Sequence, residues 1–249
     1  MNSLPWREQN AIISGGANGL GLALARHLTE SGVAVSLFDL NQDKLDAACD
    51  ELGENCRAFC LDITDPDAVR AAVAQILTER QSIEILVNCA GITGKTNVPS
   101  HQVELDDYER VMRVNARGCL VTSQAVLPMM LKRGYGRILH VASVAGKEGN
   151  AGMLAYSMSK AAVVALAKVQ GKEVAESGVT VNAIAPAVVR TEMVAAMPDE
   201  QVKYMTDKIP MKRCGTLDEF AALASFIVSP QASFTTGFCF DLTGGRATY

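Results

Sequence analysis

Short apolar runs rich in β-branched residues alternate along this chain with longer amphipathic stretches, and that alternation constrains the fold more than any other feature. A short run that is apolar throughout suits a strand buried on both faces, and parallel strands need a crossover of a dozen or more residues between them. The pattern therefore predicts a doubly wound α/β architecture. Strands are expected at 11–14, 33–38, 57–61, 85–88, 137–142, 179–184 and 238–241, with helices filling most intervals. Boundary signals agree: Asp65 before Pro66 marks a helix start, because proline's fixed φ and missing N–H suit a first turn. Thr216 and Glu219 have capping-box spacing, and Gly32 and Gly178 follow helical patterns where a left-handed terminating residue fits. No repeat, low-complexity tract or linker interrupts the pattern. A length of 249 residues, 49% of them hydrophobic, suits one domain over 1–249 with a large core. Segment 191–215, with Pro198, Pro210 and several methionines between short helical patterns, reads as a mobile lid.

Charge and composition narrow the partners. A formal charge of −4 with scattered Lys and Arg gives no basic field for a polyanion, so nucleic acid is not expected. No apolar run approaches the roughly 20 residues that span a bilayer, and Met1 to Asn10 carry no signal-like apolar core; the expectation is a cytoplasmic protein without a membrane partner. Seven dispersed cysteines, with no Cys-x-x-Cys pair, read as small buried thiols rather than a disulfide frame or metal site. His27, His101 and His140 flank no acidic ligand motif, so a zinc-dependent chemistry is disfavoured and no metal is expected.

Directly after the first expected strand comes Ser14-Gly15-Gly16-Ala17-Asn18-Gly19-Leu20-Gly21, opening a helix. Glycine permits a tight turn and close backbone approach, while free N–H groups at a helix start favour an anion, so this turn can cradle a pyrophosphate. The second strand closes at Asp39, 18 residues after Gly21, where a dinucleotide fold places an acid against the adenosine ribose. A carboxylate there accepts from both ribose hydroxyls and repels a 2′-phosphate, and neither Asn18 nor Leu40 offers a compensating cation. The cofactor reading is NAD. Asp62, with Ile63 beside it, follows the third strand and can meet the adenine. Asn88, Cys89, Ala90 and Gly91 follow the fourth and can let the cofactor lie against backbone.

Tyr156 and Lys160 stand four apart in a strongly helix-forming stretch, so both project from one face. Ser143 closes the strand before that helix, and Asn115 falls within an earlier one. Oxidation of an alcohol needs a base for the hydroxyl proton as hydride leaves carbon, and a free phenol with a pKa of about 10 is too little ionised at neutral pH. Lys160 would supply the neighbouring cation, Ser143 would hold the substrate oxygen, and Asn115 would hold a water linking Lys160 to solvent.

The glycine turn, residues 88–91, Asn115, Ser143 and Tyr156-x-x-x-Lys160, in this order, resemble the short-chain dehydrogenase/reductase family over essentially the whole chain. That resemblance implies a Rossmann-type three-layer fold with a seven-stranded parallel sheet, a Ser-Tyr-Lys-Asn tetrad, a homotetramer and no metal. It also implies that residues 186–191 meet the nicotinamide, with the Val189 backbone and Thr191 hydroxyl on its carboxamide. Ser14, Cys89 and Ala187 depart from the family's usual Thr, Asn and Gly, which changes local loop shape but removes no member of the tetrad.

Substrate choice should lie in the loop after Ser143, the expected lid and the last residues. Lys147, Glu148, Asn150 and Met193 are the candidates there, and Arg246 or Tyr249, beyond a Gly244-Gly245 hinge, are expected to reach a neighbouring subunit's site. The polar loop and this ending resemble the bacterial members that oxidise sugars and sugar acids. Two alternatives stay open: a 3-oxoacyl-carrier-protein reductase, which would draw on NADPH and a basic patch, and a non-catalytic NAD-binding redox scaffold.

Overall fold

The computed structural model describes residues 5–249, apart from the side chains of Met193 and Gln201. Seven strands, β1 (Asn10–Ser14), β2 (Ala34–Asp39), β3 (Cys56–Cys60), β4 (Ile85–Asn88), β5 (Gly136–Val141), β6 (Val179–Pro186) and β7 (Cys239–Leu242), form one parallel sheet in the order β3-β2-β1-β4-β5-β6-β7. Each expected strand is present within two residues at either end. Helices α1 (Gly19–Glu30), α2 (Gln42–Leu52), α3 (Pro66–Arg80), α4 (Leu105–Met112), α5 (Gly118–Arg133), α6 (Ala145–Glu148), α7 (Leu154–Glu173), α8 (Glu192–Ala195), α9 (Asp199–Asp207) and α10 (Leu217–Ile227) complete the chain. No helix among the described residues is long and apolar enough to cross a membrane.

Two cores follow from the strand period of two. Ala11, Ile13, Leu37, Ile85 and Val87 face α1 and α10 side chains such as Leu24, Leu28 and Phe220. Their neighbours Ile12, Phe38 and Leu86 face the opposite layer, with Val73 and Ile76 of α3, Val126 of α5 and Val163 of α7. The three layers are therefore helix, sheet, helix. Strand order reverses between β1 and β4, and the carboxyl ends flanking that reversal leave the crevice in which such sheets bind ligands.

Local chemistry sets the boundaries. Asp65 accepts from the amides of Asp67 and Ala68 ahead of Pro66, and Thr216 with Glu219 forms a reciprocal capping box. Gly32 and Gly178 have φ of 87° and 81°. The segment expected to be a lid contains α8 and α9, and its ends are joined: Arg190 N–H donates to Gly215 O at 2.9 Å and Gly215 N–H to Val188 O at 3.0 Å. One departure bears on the site. Asn115 does not sit in a regular helix but in a π-helical turn, Arg113–Arg117, that joins α4 to α5.

Candidate active site

The cleft at the carboxyl edge begins with the turn after β1. Gly15 has φ of 64°, and a Cβ there would lie 2.7 Å from Ala90 N, so only glycine lets this turn close against the chain leaving β4. At Gly21 a Cβ would fall 2.2 Å from Gly15 O, which is how α1 starts directly beneath the turn. A Cβ on Gly19 would meet only Thr191 Cγ2 at 3.8 Å, leaving bare backbone on the open side of the cleft. A turn with this free approach and the first-turn amides of α1 fits a pyrophosphate.

Asp39, half-buried at the end of β2, accepts from Leu40 N–H at 2.8 Å through Oδ1 and from Ala17 N–H at 3.3 Å through Oδ2. Its carboxylate is thereby tied to the glycine turn. Asp39, Asp62, Ile63, Ala90, Gly91 and Asn18 line one half of the cleft. Asp62 is exposed and uses Oδ1 to accept from Thr64 N–H at 2.8 Å. Gly91, Cys89, Ile92 and Thr191 continue into the second half, where Leu20, Val189, Ser143, Tyr156 and Lys160 gather. Thr191 also caps α8 by accepting from Val194 N–H.

Lys160 is buried, donates to Val141 O at 2.7 Å and lies 5.8 Å from the centre of the Tyr156 ring. The hydroxyl of Tyr156 has no hydrogen-bond partner among the described residues and borders the cleft. Ser143 Oγ accepts from Ala145 N–H at 3.1 Å, which leaves its own proton available. The loop carrying Ser143 meets α7 closely, since a Cβ on Gly146 would lie 2.5 Å from the Lys160 carbonyl carbon. Burial pushes the Cys89 thiol up to about 12, with the Lys160 ammonium only partly opposing it, so this side chain lines the cleft as a neutral, apolar group.

Beneath the cleft lies a buried polar chain. Asn88 Oδ1 accepts from Ser14 Oγ at 3.1 Å and Thr122 Oγ1 at 2.8 Å, while its Nδ2 meets His140 Nδ1 at 3.1 Å. His140 Nε2 meets Gln170 Oε1 at 3.1 Å, and Gln170 donates to Ser123 Oγ at 2.8 Å. Burial lowers the His140 imidazole to about 4, so it is neutral and both ring nitrogens are used.

A family model described as enoyl-(acyl carrier protein) reductase matches residues 15–246. The 2-dehydro-3-deoxy-L-rhamnonate dehydrogenase (NAD(+)) of Sphingomonas sp. (strain SKA58) is 44% identical over 96% of this chain and 95% of its own length. The chain belongs to the short-chain dehydrogenase/reductase family. Like others of that family, it is an oxidoreductase acting on CH–OH groups. A 3-oxoacyl-(acyl-carrier-protein) reductase of Vibrio cholerae is 36% identical over 94% of this chain and 96% of its own length. Among solved structures, an NAD+-bound xylitol dehydrogenase superposes with a TM-score of 0.89 at 29% identity, covering 96% of this chain and 98% of the other. A levodione reductase gives 0.92 at 29% identity, covering 97% and 99%.

Within this short-chain dehydrogenase/reductase, several expected site residues take other positions. Asn88 turns its side chain into the buried chain, so only the backbone after it reaches the cleft. Asn115 accepts from Ile92 N–H and donates to Ile92 O, both at 2.8 Å, and donates to Ser159 Oγ at 2.9 Å. Its side chain holds Ile92 against α7 with both Nδ2 protons used, while Oδ1 keeps a second lone pair open for a water. Lys147, Glu148 and Asn150 do not line the cleft around Tyr156. Lys147 Nζ donates to both Asp241 oxygens and Glu148 accepts from Arg246, because half-buried charges pair rather than stand open. Arg246 and Tyr249, expected to reach a neighbour, bond within their own chain to Glu148, Asn150 and Lys147. The side chain of Met193 lies outside the described residues. The sequence reading missed Ile92 and Thr93 on the cleft wall, although their place directly after Gly91 was a usable signal.

Proposed function

We propose that this chain is an NAD-dependent dehydrogenase that oxidises a secondary hydroxyl of a sugar acid, of the 2-dehydro-3-deoxy class on which its Sphingomonas relative is named, to the ketone. The observation that carries the reading is one cleft with the Asp39 carboxylate at one end and Ser143, Tyr156 and Lys160 at the other. Both ends are built on the same sheet, which supports a single dinucleotide-binding catalytic domain over 1–249.

NAD, when bound, supplies the hydride acceptor. Asp39 would accept from the adenosine ribose hydroxyls, the turn at Gly15, Asn18, Gly19, Leu20 and Gly21 would hold the pyrophosphate, and Asp62, Ile63 and the backbone leaving Asn88 through Ala90 and Gly91 would flank the adenosine side. Val189 and Thr191 would hold the nicotinamide end, with Lys160 available to its ribose. Ser143 donates its free proton to the substrate oxygen and orients it. Tyr156, as the phenolate facing the Lys160 ammonium, takes the substrate hydroxyl proton and becomes the phenol as hydride leaves carbon. In the reducing direction Tyr156 returns that proton. Asn115 acts by holding Ile92 and Ser159, and through them the cleft wall and α7.

Seven unpaired thiols support a reducing, cytoplasmic setting. Exposed Phe226, Phe234 and Phe238 near the β7 edge support burial against further copies, read here as a homotetramer and testable by light scattering. The deciding experiment assays sugar acids, aldonates, polyols and acyl thioesters with NAD and NADP. The proposal expects NADH formation from a 2-dehydro-3-deoxy sugar acid. A preference for NADPH with an acyl thioester would replace it by the carrier-protein reductase reading, and no turnover with any alcohol or ketone by a redox scaffold.

A further inference from the structure

The turn α6 begins two residues after Ser143 and has only four residues, Ala145–Glu148, too few to be stable by themselves. It is held on three sides. At its start, Ser143 Oγ accepts from Ala145 N–H, and Val144 N–H donates to Pro186 O at 2.9 Å. Its inner face, at Gly146, touches the Lys160 backbone with no room for a Cβ. Its outer face is gripped by residues about a hundred positions away. Lys147 Nζ, 9% exposed, lies 2.9 and 2.8 Å from Asp241 Oδ1 and Oδ2 and also contacts the Tyr249 carbonyl. Arg246, 12% exposed, donates to Glu148 Oε2 at 2.9 and 2.7 Å and to Asn150 Oδ1 at 3.2 Å. Tyr249 OH donates to Lys147 O at 3.0 Å.

We infer that β7 and the residues after it form a clasp that positions Ser143. Lys147–Asp241 and Glu148–Arg246 are its two ion pairs, and all four residues act through α6 rather than by touching substrate. Because Ser143 Oγ is itself the acceptor at the start of α6, any displacement of that turn reorients the hydroxyl that meets the substrate oxygen. Both pairs are partly shielded from water, so their hydrogen bonds are stronger than those of open surface pairs. The inference rests on the dehydrogenase reading above, since it gives Ser143 a substrate oxygen to hold.

The test compares wild type with Arg246→Ala, Arg246→Lys and the exchange of charges Glu148→Arg with Arg246→Glu. The readouts are amide hydrogen exchange over 143–149 in the ligand-free protein, NAD affinity, and kcat and KM for the best sugar acid. Arg246→Ala is expected to speed exchange in that segment and to lower kcat about tenfold to a hundredfold, as a roughly 1 Å misplacement does, with NAD affinity unchanged. Arg246→Lys should fall between, and the charge exchange should return kcat to within about fivefold of wild type. If the charge exchange stays as slow as Arg246→Ala while KM rises, Arg246 contacts the substrate and the clasp is wrong. Equal exchange at 143–149 in wild type and Arg246→Ala overturns it as well. Absence of any wild-type turnover would instead sink the dehydrogenase reading, and this role with it, an outcome distinct from an active wild type matched by an equally active Arg246→Ala.

Discussion

Replacing Asp39 by Asn removes one charge from the adenosine end of the cleft while keeping its shape. Oδ1 can still accept from Leu40 and Asn41 N–H, at 2.8 and 3.3 Å in the native chain, so the end of β2 is retained. The new amide replaces Oδ2, which accepts from Ala17 N–H at 3.3 Å, and that contact is lost. Turning charge-assisted ribose bonds into neutral ones forfeits about 1.4 kcal/mol, roughly tenfold in NAD affinity. The gain for NADP comes from lifting repulsion. A unit charge pair at about 4 Å costs about 4 kcal/mol at an effective dielectric of 20, and solvent screening at this half-buried site brings it to about 2 kcal/mol, or roughly 30-fold. The NAD to NADP preference should therefore shift about 300-fold. Calorimetric titration of wild type and Asp39→Asn with each cofactor measures both halves. Unchanged affinity for both would refute the placement of the ribose against Asp39.

Three further outcomes follow from the same geometry. Tyr156→Phe should cut kcat at least about a hundredfold, the lower bound for a proton-transfer group, with NAD affinity and melting temperature retained because the hydroxyl has no partner among the described residues; steady-state rates beside calorimetry check this. Gly21→Ala places a Cβ 2.2 Å from Gly15 O and should cost about 1–3 kcal/mol of stability, together with weakened NAD binding, read by urea unfolding and titration. His140 is lowered from 6.5 to about 4 by burial, so between those pH values the unfolded chain binds a proton that the folded chain refuses. Stability should fall by on the order of 3 kcal/mol as pH drops through that window, and His140→Gln should flatten that part of the profile in urea melts at pH 7 and 4.5.

Much of the fold is legible in the sequence. The central strands β4, β5 and β6 are buried throughout because layers cover both faces, and Pro66, Thr216 and the glycines act through their own φ or a partner three residues away. The candidate site was legible where it depends on a strand end or a helical period: Asp39, Ser143, Tyr156 and Lys160 line the cleft as that logic requires. The π-helical turn that carries Asn115, and the bonds of its side chain to Ile92 and Ser159, were not legible because those partners lie 23 and 44 positions away. The partners of Lys147, Glu148 and Asn150 were not legible, because a polar loop looks the same whether it faces a ligand or another segment.

The sequence by itself determined the alternation of strands and crossovers, the phosphate-type turn, the acid at the end of β2 and the spacing of Tyr156 and Lys160. All of these are local, set by a period of two or 3.6 residues or by one residue's backbone freedom. Only the tertiary structure decided that Asn88 looks inward to His140, that Asn115 braces Ile92, and that Arg246 closes on Glu148. Those partners lie between 23 and 98 positions apart, and which of many polar side chains meets another at such separation is settled by how the layers pack.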